Sequence, residues 1–599
     1  MRRRIRIRIS ACTERSCMRL TNHQRKVCNV LVIGSGGAGM RAAIAADAAG
    51  FDVIVVGKRA KADAHTVLAA GGINAALATV DPEDSWEQHF TDTMREGYGL
   101  GDPRAVELLA RESPAAVREL ENWGCEFARC PDGRIDQRYF GAHTYRRTCY
   151  AGDYTGRAIV RTLVKRLAQT RCAVVENVYI SDLLVHDQRC FGAVGFDIAS
   201  GAKLVFFADA VVLAGGGHTR IWRRSSSRRN ENTGDGMAMA LRVGCTLGDM
   251  ELVQFHPTGM VAPEEWAGTL VTEAVRGEGG RLLNSDGERF MARYDPERLE
   301  LSTRDRVALA NYSEILAGRG GPNGGVFLDI SHRTKEFIVQ KLPRMYRQFL
   351  ETQMLDISRK PMEVAPTAHY SMGGVVVEPD SHSTGIDGLF AAGEVTTGVH
   401  GANRLGGNSL AETLVFGRRA GEAAAELSAR TDAQVRDRST VQSALDRLAA
   451  IVRPGSEMAR TLQRRIRDLM WEDCGVVRSE ASLREGLRKL AAVADAVDLV
   501  DVQPSSEGFQ DLAVALDLRG SILAAEATLR SALARRESRG ANQRSDFPLL
   551  GQTLENTRVD LAADGTMHVH AVPVPRAASD LPAWETSKQP LSLSGRLLE

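Results

Sequence analysis

The chain has 599 residues, 43% of them hydrophobic and 25% charged, with 76 Lys and Arg against 75 Asp and Glu. That length exceeds what one core supports, so several domains are expected. A formal net charge of +1 excludes a broad nucleic-acid footprint. No apolar run approaches the roughly 18 residues of a membrane span. The 10 cysteines are scattered without a Cys-x-x-Cys pair, which gives neither a disulfide framework nor a set of iron–sulfur or other metal ligands.

Residues 1–28 begin with a run of arginines and contain no apolar core segment, so a disordered basic extension is expected rather than a secretory signal. Val30–Ile33 reads as a buried parallel strand and is followed by Gly34-Ser35-Gly36-Gly37-Ala38-Gly39. A helix over Met40–Ala49 and a strand over Phe51–Val56 complete a βαβ unit. Bare backbone at the N-terminus of that helix suits a pyrophosphate. The acidic residue of a generic NAD site is missing after the second strand, where Gly57-Lys58-Arg59 stands instead.

A second strand, Ala210–Leu213, runs into three glycines; Thr233-Gly234-Asp235-Gly236 opens a helix; and Leu389–Ala392 ends at Gly393-Glu394. Three such turns point to one large α/β, Rossmann-like FAD-binding domain in two parts, 29–264 and 366–431, around an inserted α+β capping domain at 265–365. Helical periodicity over Ser439–Ala450, Glu457–Met470, Ser482–Val500 and Leu523–Glu537 marks a helical domain at 432–548. A strand-rich C-terminal region, 549–599, ends in a mobile Pro/Ser-rich stretch.

Four distant segments place cations where an anion could be gripped. They are Gln254-Phe255-His256-Pro257-Thr258-Gly259, Thr303-Arg304-Asp305-Arg306, Pro366-Thr367-Ala368-His369-Tyr370 and His400-Gly401-Ala402-Asn403-Arg404. On spacing alone, Arg304 could pair with Asp305 or Glu300, and Arg276 with Glu273 or Glu278. His382 sits in a polar loop and is expected to be solvated, His400 to line the cofactor, and Arg146 and Arg147 to stand near the substrate mouth.

From about Val30 to Pro548 the chain resembles the flavoprotein subunits of succinate dehydrogenase and fumarate reductase. The motifs that carry the resemblance include Ala64-His65-Thr66-Val67-Leu68-Ala69-Ala70-Gly71-Gly72, Thr272-Glu273-Ala274-Val275-Arg276-Gly277-Glu278-Gly279-Gly280, Gly401-Ala402-Asn403-Arg404-Leu405-Gly406-Gly407-Asn408-Ser409-Leu410 and Met470-Trp471-Glu472-Asp473-Cys474-Gly475. Lys58 also resembles the family. The resemblance implies FAD held by Gly34, Ser35, Gly36, Gly37, Ala38, Gly39, Lys58, Thr66, Gly71, Gly72, Asp235, Glu394, Ser409 and Leu410, and joined covalently to His65. It implies His256, Thr272, His369 and Arg404 as ligands of succinate or fumarate, Arg304 as the proton-transfer arginine, and Glu273 and Arg276 as its relay. The partners it implies are membrane anchors and an iron–sulfur subunit, at the cytoplasmic face of the inner membrane. The alternative is a soluble relative such as L-aspartate oxidase or a soluble fumarate reductase, from which His65 separates this chain.

Overall fold

The computed structural model describes residues 23–505 and 508–584. Its central sheet has five parallel strands in the order Leu389–Ala391, Ala210–Leu213, Val30–Ile33, Val53–Gly57 and Ala173–Glu176. Alternation within Val30–Ile33 explains its unbroken apolar run. Val30 and Val32 pack under the helix Gly37–Ala48, while Leu31 and Ile33 pack against a second sheet and the helix Asp235–Arg242. A strand covered on both faces has no polar side to show. The helix begins at Gly37 rather than Met40, so half of the glycine loop is its first turn. The long helix Asn408–Ala429 crosses it at backbone contact: a Cβ at Gly421 would lie 2.2 Å from the Ala42 carbonyl oxygen.

The second sheet contains a correction. His23–Val27, expected within the disordered extension, is a strand pairing in parallel with Lys203–Phe207, and Cys28 is buried behind it. The segment His-Gln-Arg-Lys-Val is polar because it lies at the sheet edge, which hid it from hydrophobic pattern. Residues 1–22 and the Pro/Ser-rich end, 585–599, lie outside the described residues.

Two long antiparallel strands, Val253–Met260 and Met362–Ser371, run from the FAD-binding part into a four-stranded sheet with Val326–Asp329 and Arg281–Leu283. Met260, Leu282, Phe290, Leu328, Phe349 and Val364 form a separate core there. The insertion is therefore continuous with the strands that flank it. Four helices follow: Arg438–Ile451, Ala459–Asp473, Glu480–Ala496 and Gln510–Ala534. The last begins well before the expected Leu523, because it is buried nearly all round and shows no polar face. It reaches back to the FAD-binding part, where Ser521 donates to the Thr233 carbonyl at 2.9 Å. The hairpin Glu555–Leu561 and Met567–Pro573 closes on Leu247–Gly248. No helix among the described residues is long and apolar enough to cross a membrane.

The helix crossing gives a direct test. Gly421→Leu drives a side chain into backbone that cannot move aside, and is expected to destabilise the fold by at least about 1–3 kcal/mol. Thermal denaturation should show a lowered Tm; an unchanged Tm would refute the close approach.

Candidate active site

One cavity of about 290 Å³ runs from the glycine loop to the two long strands. Its cofactor end is lined by Gly34, Ser35, Gly36, Gly37, Ala38, Lys58, His65, Thr66, Gly71, Gly72, Asp235, Glu394, Ser409 and Leu410. Gly39 does not line it. A Cβ there would fall 1.8 Å from the Gly34 carbonyl oxygen, so Gly39 lets the helix close onto the loop. Lys58 is held at 3.0 Å by both Asp235 and Asp517; burial disfavours its charge, but the two carboxylates outweigh burial and raise its pKa. Exposed backbone at a helix N-terminus, apolar walls from Ile180 and Met239, and Glu394 beyond them fit a flavin dinucleotide.

His65 lines the same cavity. Its Nδ1 lies 3.2 Å from Glu231 Oε2, and Glu231 is bracketed by Arg59 and Arg228, each at 3.4 Å. Burial alone would lower the His65 pKa, but the bond to Glu231 raises it overall. Glu231 Oε1 and Arg59 Nε are buried without a hydrogen-bond partner.

At the substrate end, His256 and His369 come from the paired strands, with His256 opposite Thr367. Register shifts on both sides of His256 mark bulges, which re-aim side chains off the ladder. The two imidazoles stand edge to face, 5.2 Å apart. His256 Nδ1 lies 3.2 Å from both the Thr258 amide nitrogen and the Thr258 carbonyl oxygen. Burial first, and then the arginine charges of Arg304 and Arg404 beside them, pushes both imidazoles well below the usual histidine range, so both are neutral near pH 7. Ser226 Oγ lies 2.9 Å from His369 Nδ1.

In the same cavity, Arg304 and Arg404 both donate at 3.0 Å to Gln254 Oε1. Arg304 opens the helix Arg304–Leu316, and its Nε donates at 2.8 Å to Glu273 Oε2. Burial pushes the Glu273 carboxyl up, but Arg304 and Arg276 more than offset it and hold it at about 2. Arg276 lies behind Glu273 at 3.8 Å, buried and outside the cavity. Its Nη1 donates at 2.5 Å to the Glu300 carbonyl, and the Glu300 carboxylate takes Arg289, which is half exposed. Arg304 thus pairs with Glu273 rather than Asp305 or Glu300. Thr272 lines the cavity beside them. Burial and Arg304 depress the Arg404 pKa to about 9.

Four side chains are placed differently from expectation. His382 is buried, stacked 4.3 Å from Phe416 and bonded to the Ala391 carbonyl at 2.8 Å. His400 bonds Glu412 at 3.1 Å and does not line the cavity. Arg147 is fully buried between Asp84 and Asp92, at 2.8 and 2.9 Å, and Arg146 pairs with Asp81 on the surface. In each case a distant partner, invisible in the local sequence, decides the position. Sequence reasoning missed Gln254, Ser226, Glu231 and Glu300 as site residues. Gln254 opens one of the four cationic segments, but nothing in the sequence shows that two arginines converge on its amide.

A Rossmann-type sheet with this cavity defines an FAD-binding oxidoreductase. Residues 29–410 match the family model described as FAD binding domain, and residues 463–574 match that of the fumarate reductase flavoprotein C-terminus. The chain is 48% identical over 523 residues to a subunit of the fumarate reductase (CoM/CoB) of Methanothermobacter marburgensis, covering 87% of this chain and 94% of that one. It is 36% identical to the succinate dehydrogenase flavoprotein subunit of Rickettsia conorii, covering 87% of this chain and 90% of that one. Escherichia coli quinol fumarate reductase FrdA superposes with a TM-score of 0.88 at 34% identity, over 93% of this chain and 98% of that one. The chain belongs to the family of succinate dehydrogenase and fumarate reductase flavoprotein subunits.

The depressed Arg404 pKa sets a pH dependence. Arg404 is charged below about 9, so an anion that pairs with it would bind less well as pH rises through that value. Titration of the flavin spectrum with malonate should give a flat Kd below pH 8 and a weakening one above 9. A Kd that stays flat to pH 10.5 in a stable protein would refute Arg404 as an anion ligand.

Proposed function

We propose that the chain interconverts succinate and fumarate and passes the electrons to a separate iron–sulfur subunit. The observation that supports this is the pairing of Arg304 and Arg404 through Gln254, in one cavity with two neutral imidazoles. A C4 dianion needs donors at two ends, and charge-assisted bonds supply the strongest grip. Arg404 offers a planar fork to one carboxylate; His256, Thr272 and His369 receive the other. Such a clamp fixes the reacting carbon–carbon bond and so removes much of the entropic barrier.

FAD, when bound, supplies the two-electron redox partner of the substrate. Arg304 moves the proton at the neighbouring carbon. An arginine ordinarily keeps its charge at any accessible pH, so it can lose a proton only while another group restores it. Glu273 bonds Arg304 directly and is acidic enough to hold a proton only in passing. Arg276 and the Glu300–Arg289 pair continue the line toward solvent.

His65 is the covalent attachment point in this reading. A Glu231 carboxylate that accepts the Nδ1 proton fixes the tautomer and leaves Nε2 as the nucleophile. Membrane anchors would hold the complex at the cytoplasmic face of the inner membrane. A second reading, reduction of fumarate by electrons from a donor other than quinol, is favoured by the higher identity to the CoM/CoB relative.

Arg304→Ala should keep its flavin and lose both directions of dye-coupled turnover by at least about 100-fold; substantial residual turnover would refute its role. Wild-type protein should fluoresce on a denaturing gel and His65→Ser should not. Glu231→Gln should lower the covalent fraction at equal FAD loading. Release of all wild-type flavin on denaturation would sink the covalent linkage.

A further inference from the structure

We propose that His143 is a positioning residue for proton transfer: with Asn74 it pins the Gly406 carbonyl and so seats Arg304 against Glu273. This rests on the proton-transfer role given to Arg304 above and adds what holds that arginine in place.

The seat is bare backbone. A Cβ at Gly406 would lie 3.2 Å from Arg304 Nη2 and 3.2 Å from the Phe140 ring, so the guanidinium occupies the side where a side chain would stand. The Gly406 carbonyl accepts from Asn74 Nδ2 at 2.7 Å, and His143 Nε2 lies 3.0 Å from it. Asn74 gives its second amide hydrogen to Asn408 Oδ1, also at 2.7 Å. Both hydrogens are then spent, so Asn74 has none left for His143 Nε2, 3.4 Å away. His143 Nε2 therefore carries the proton that Gly406 accepts. Burial, then Arg147, pushes the His143 pKa down to about 3, so the ring is neutral. Its Nδ1 is buried without a partner. The whole ring is thus kept out of water for one bond, the one to Gly406.

The same loop holds the other half of the pair. The Gly141 amide donates at 3.2 Å to Glu273 Oε1, which leaves Oε2 for Arg304. Neither His143 nor Asn74 lines the cavity, so their effect on the reaction passes through Gly406.

The loop is itself anchored. It joins the short strands Gln137–Arg138 and Thr148–Cys149, which pair with each other. Next to His143, the Thr144 amide and hydroxyl donate to Asp92 at 2.9 and 2.7 Å. That carboxylate also takes the buried Arg147 at 2.9 Å. Thr148 Oγ1 fixes Asn74 by donating to its Oδ1 at 2.8 Å. A buried polar network of this kind holds one geometry. The substrate grip has separate supports: Arg404 donates to Ser409 and Gln254, each at 3.0 Å. Loss of the His143 bond should therefore disturb Arg304 more than the binding of a dicarboxylate.

The test uses the flavin-loaded protein purified from its own cells, as wild type, His143→Leu, His143→Gln and Gly406→Ala. Dye-coupled kcat, its solvent deuterium isotope effect, the malonate Kd and the flavin content are measured. His143→Leu should lower kcat by about tenfold, because small misplacements of a reacting group are costly. Its isotope effect should rise, with malonate Kd and flavin unchanged. His143→Gln, whose amide can reach the same carbonyl, should restore most of the kcat. A wild-type kcat in His143→Leu would overturn the proposal. So would a loss of malonate binding and flavin in step with kcat, or a Gln variant as slow as the Leu one, since either marks a merely structural role. Gly406→Ala crowds the seat with His143 intact and decides the matter if the Leu variant does not fold: a lowered kcat with wild-type malonate Kd is expected, and a wild-type kcat would overturn the seat. A wild-type protein that turns over neither succinate nor fumarate would overturn the functional reading instead.

Discussion

Around Glu273 the fold brings together charges that would otherwise repel. Arg276 is fully buried, with its Nε and one Nη lacking any hydrogen bond, and Arg304 closes on the same carboxylate oxygen at 2.8 Å. Burying one unpaired cation costs several kcal/mol, and burying two side by side costs more. Glu273 makes both tolerable. Gln254 then separates Arg304 from Arg404 without adding charge. Its Oε1 accepts from both arginines, while its Nε2 donates to Asn403 Oδ1 and the Arg404 carbonyl. All its hydrogen-bonding capacity is used, so the amide cannot turn over. The wall formed by these arginines keeps a positive surplus, which a dianion would balance.

That wall works only if the cap keeps its register with the FAD-binding part. Both histidines sit on the strands that join the two, so the cap is coupled to the cofactor by a hydrogen-bonded ladder rather than a flexible linker. Arg304 reaches the same point from the cap side, at the first turn of its helix, while Arg404 comes from the loop before the helix Asn408–Ala429. Motion of the cap would change the Arg304–Arg404 separation before it changed either histidine.

Legibility in the sequence followed the range of the interactions. The glycine loop, the buried parallel strands and the Gly-Glu and Gly-Asp turns are local, and each was readable where it stood. Motif order brought His256, Arg304, His369 and Arg404 together. What stayed hidden depends on partners far away: Lys58 is fixed by Asp517, 459 residues on, and His65 by Glu231, 166 residues on. Gln510–Ser521 had no polar face to announce a helix, and His23–Val27 had no apolar face to announce a strand. His382 sits among polar neighbours in sequence yet stacks on Phe416 in the interior.

In the proposed reading two kinds of anion are handled by two kinds of donor, and the chemistry of each matches how long the anion must stay. A permanent dinucleotide would be held by backbone N–H groups at a helix start, which cannot rotate away or titrate. A dicarboxylate that must enter and leave at every turnover would meet side chains in a buried pocket, where neutral imidazoles and an Arg404 of lowered pKa limit how tightly the ground state is held.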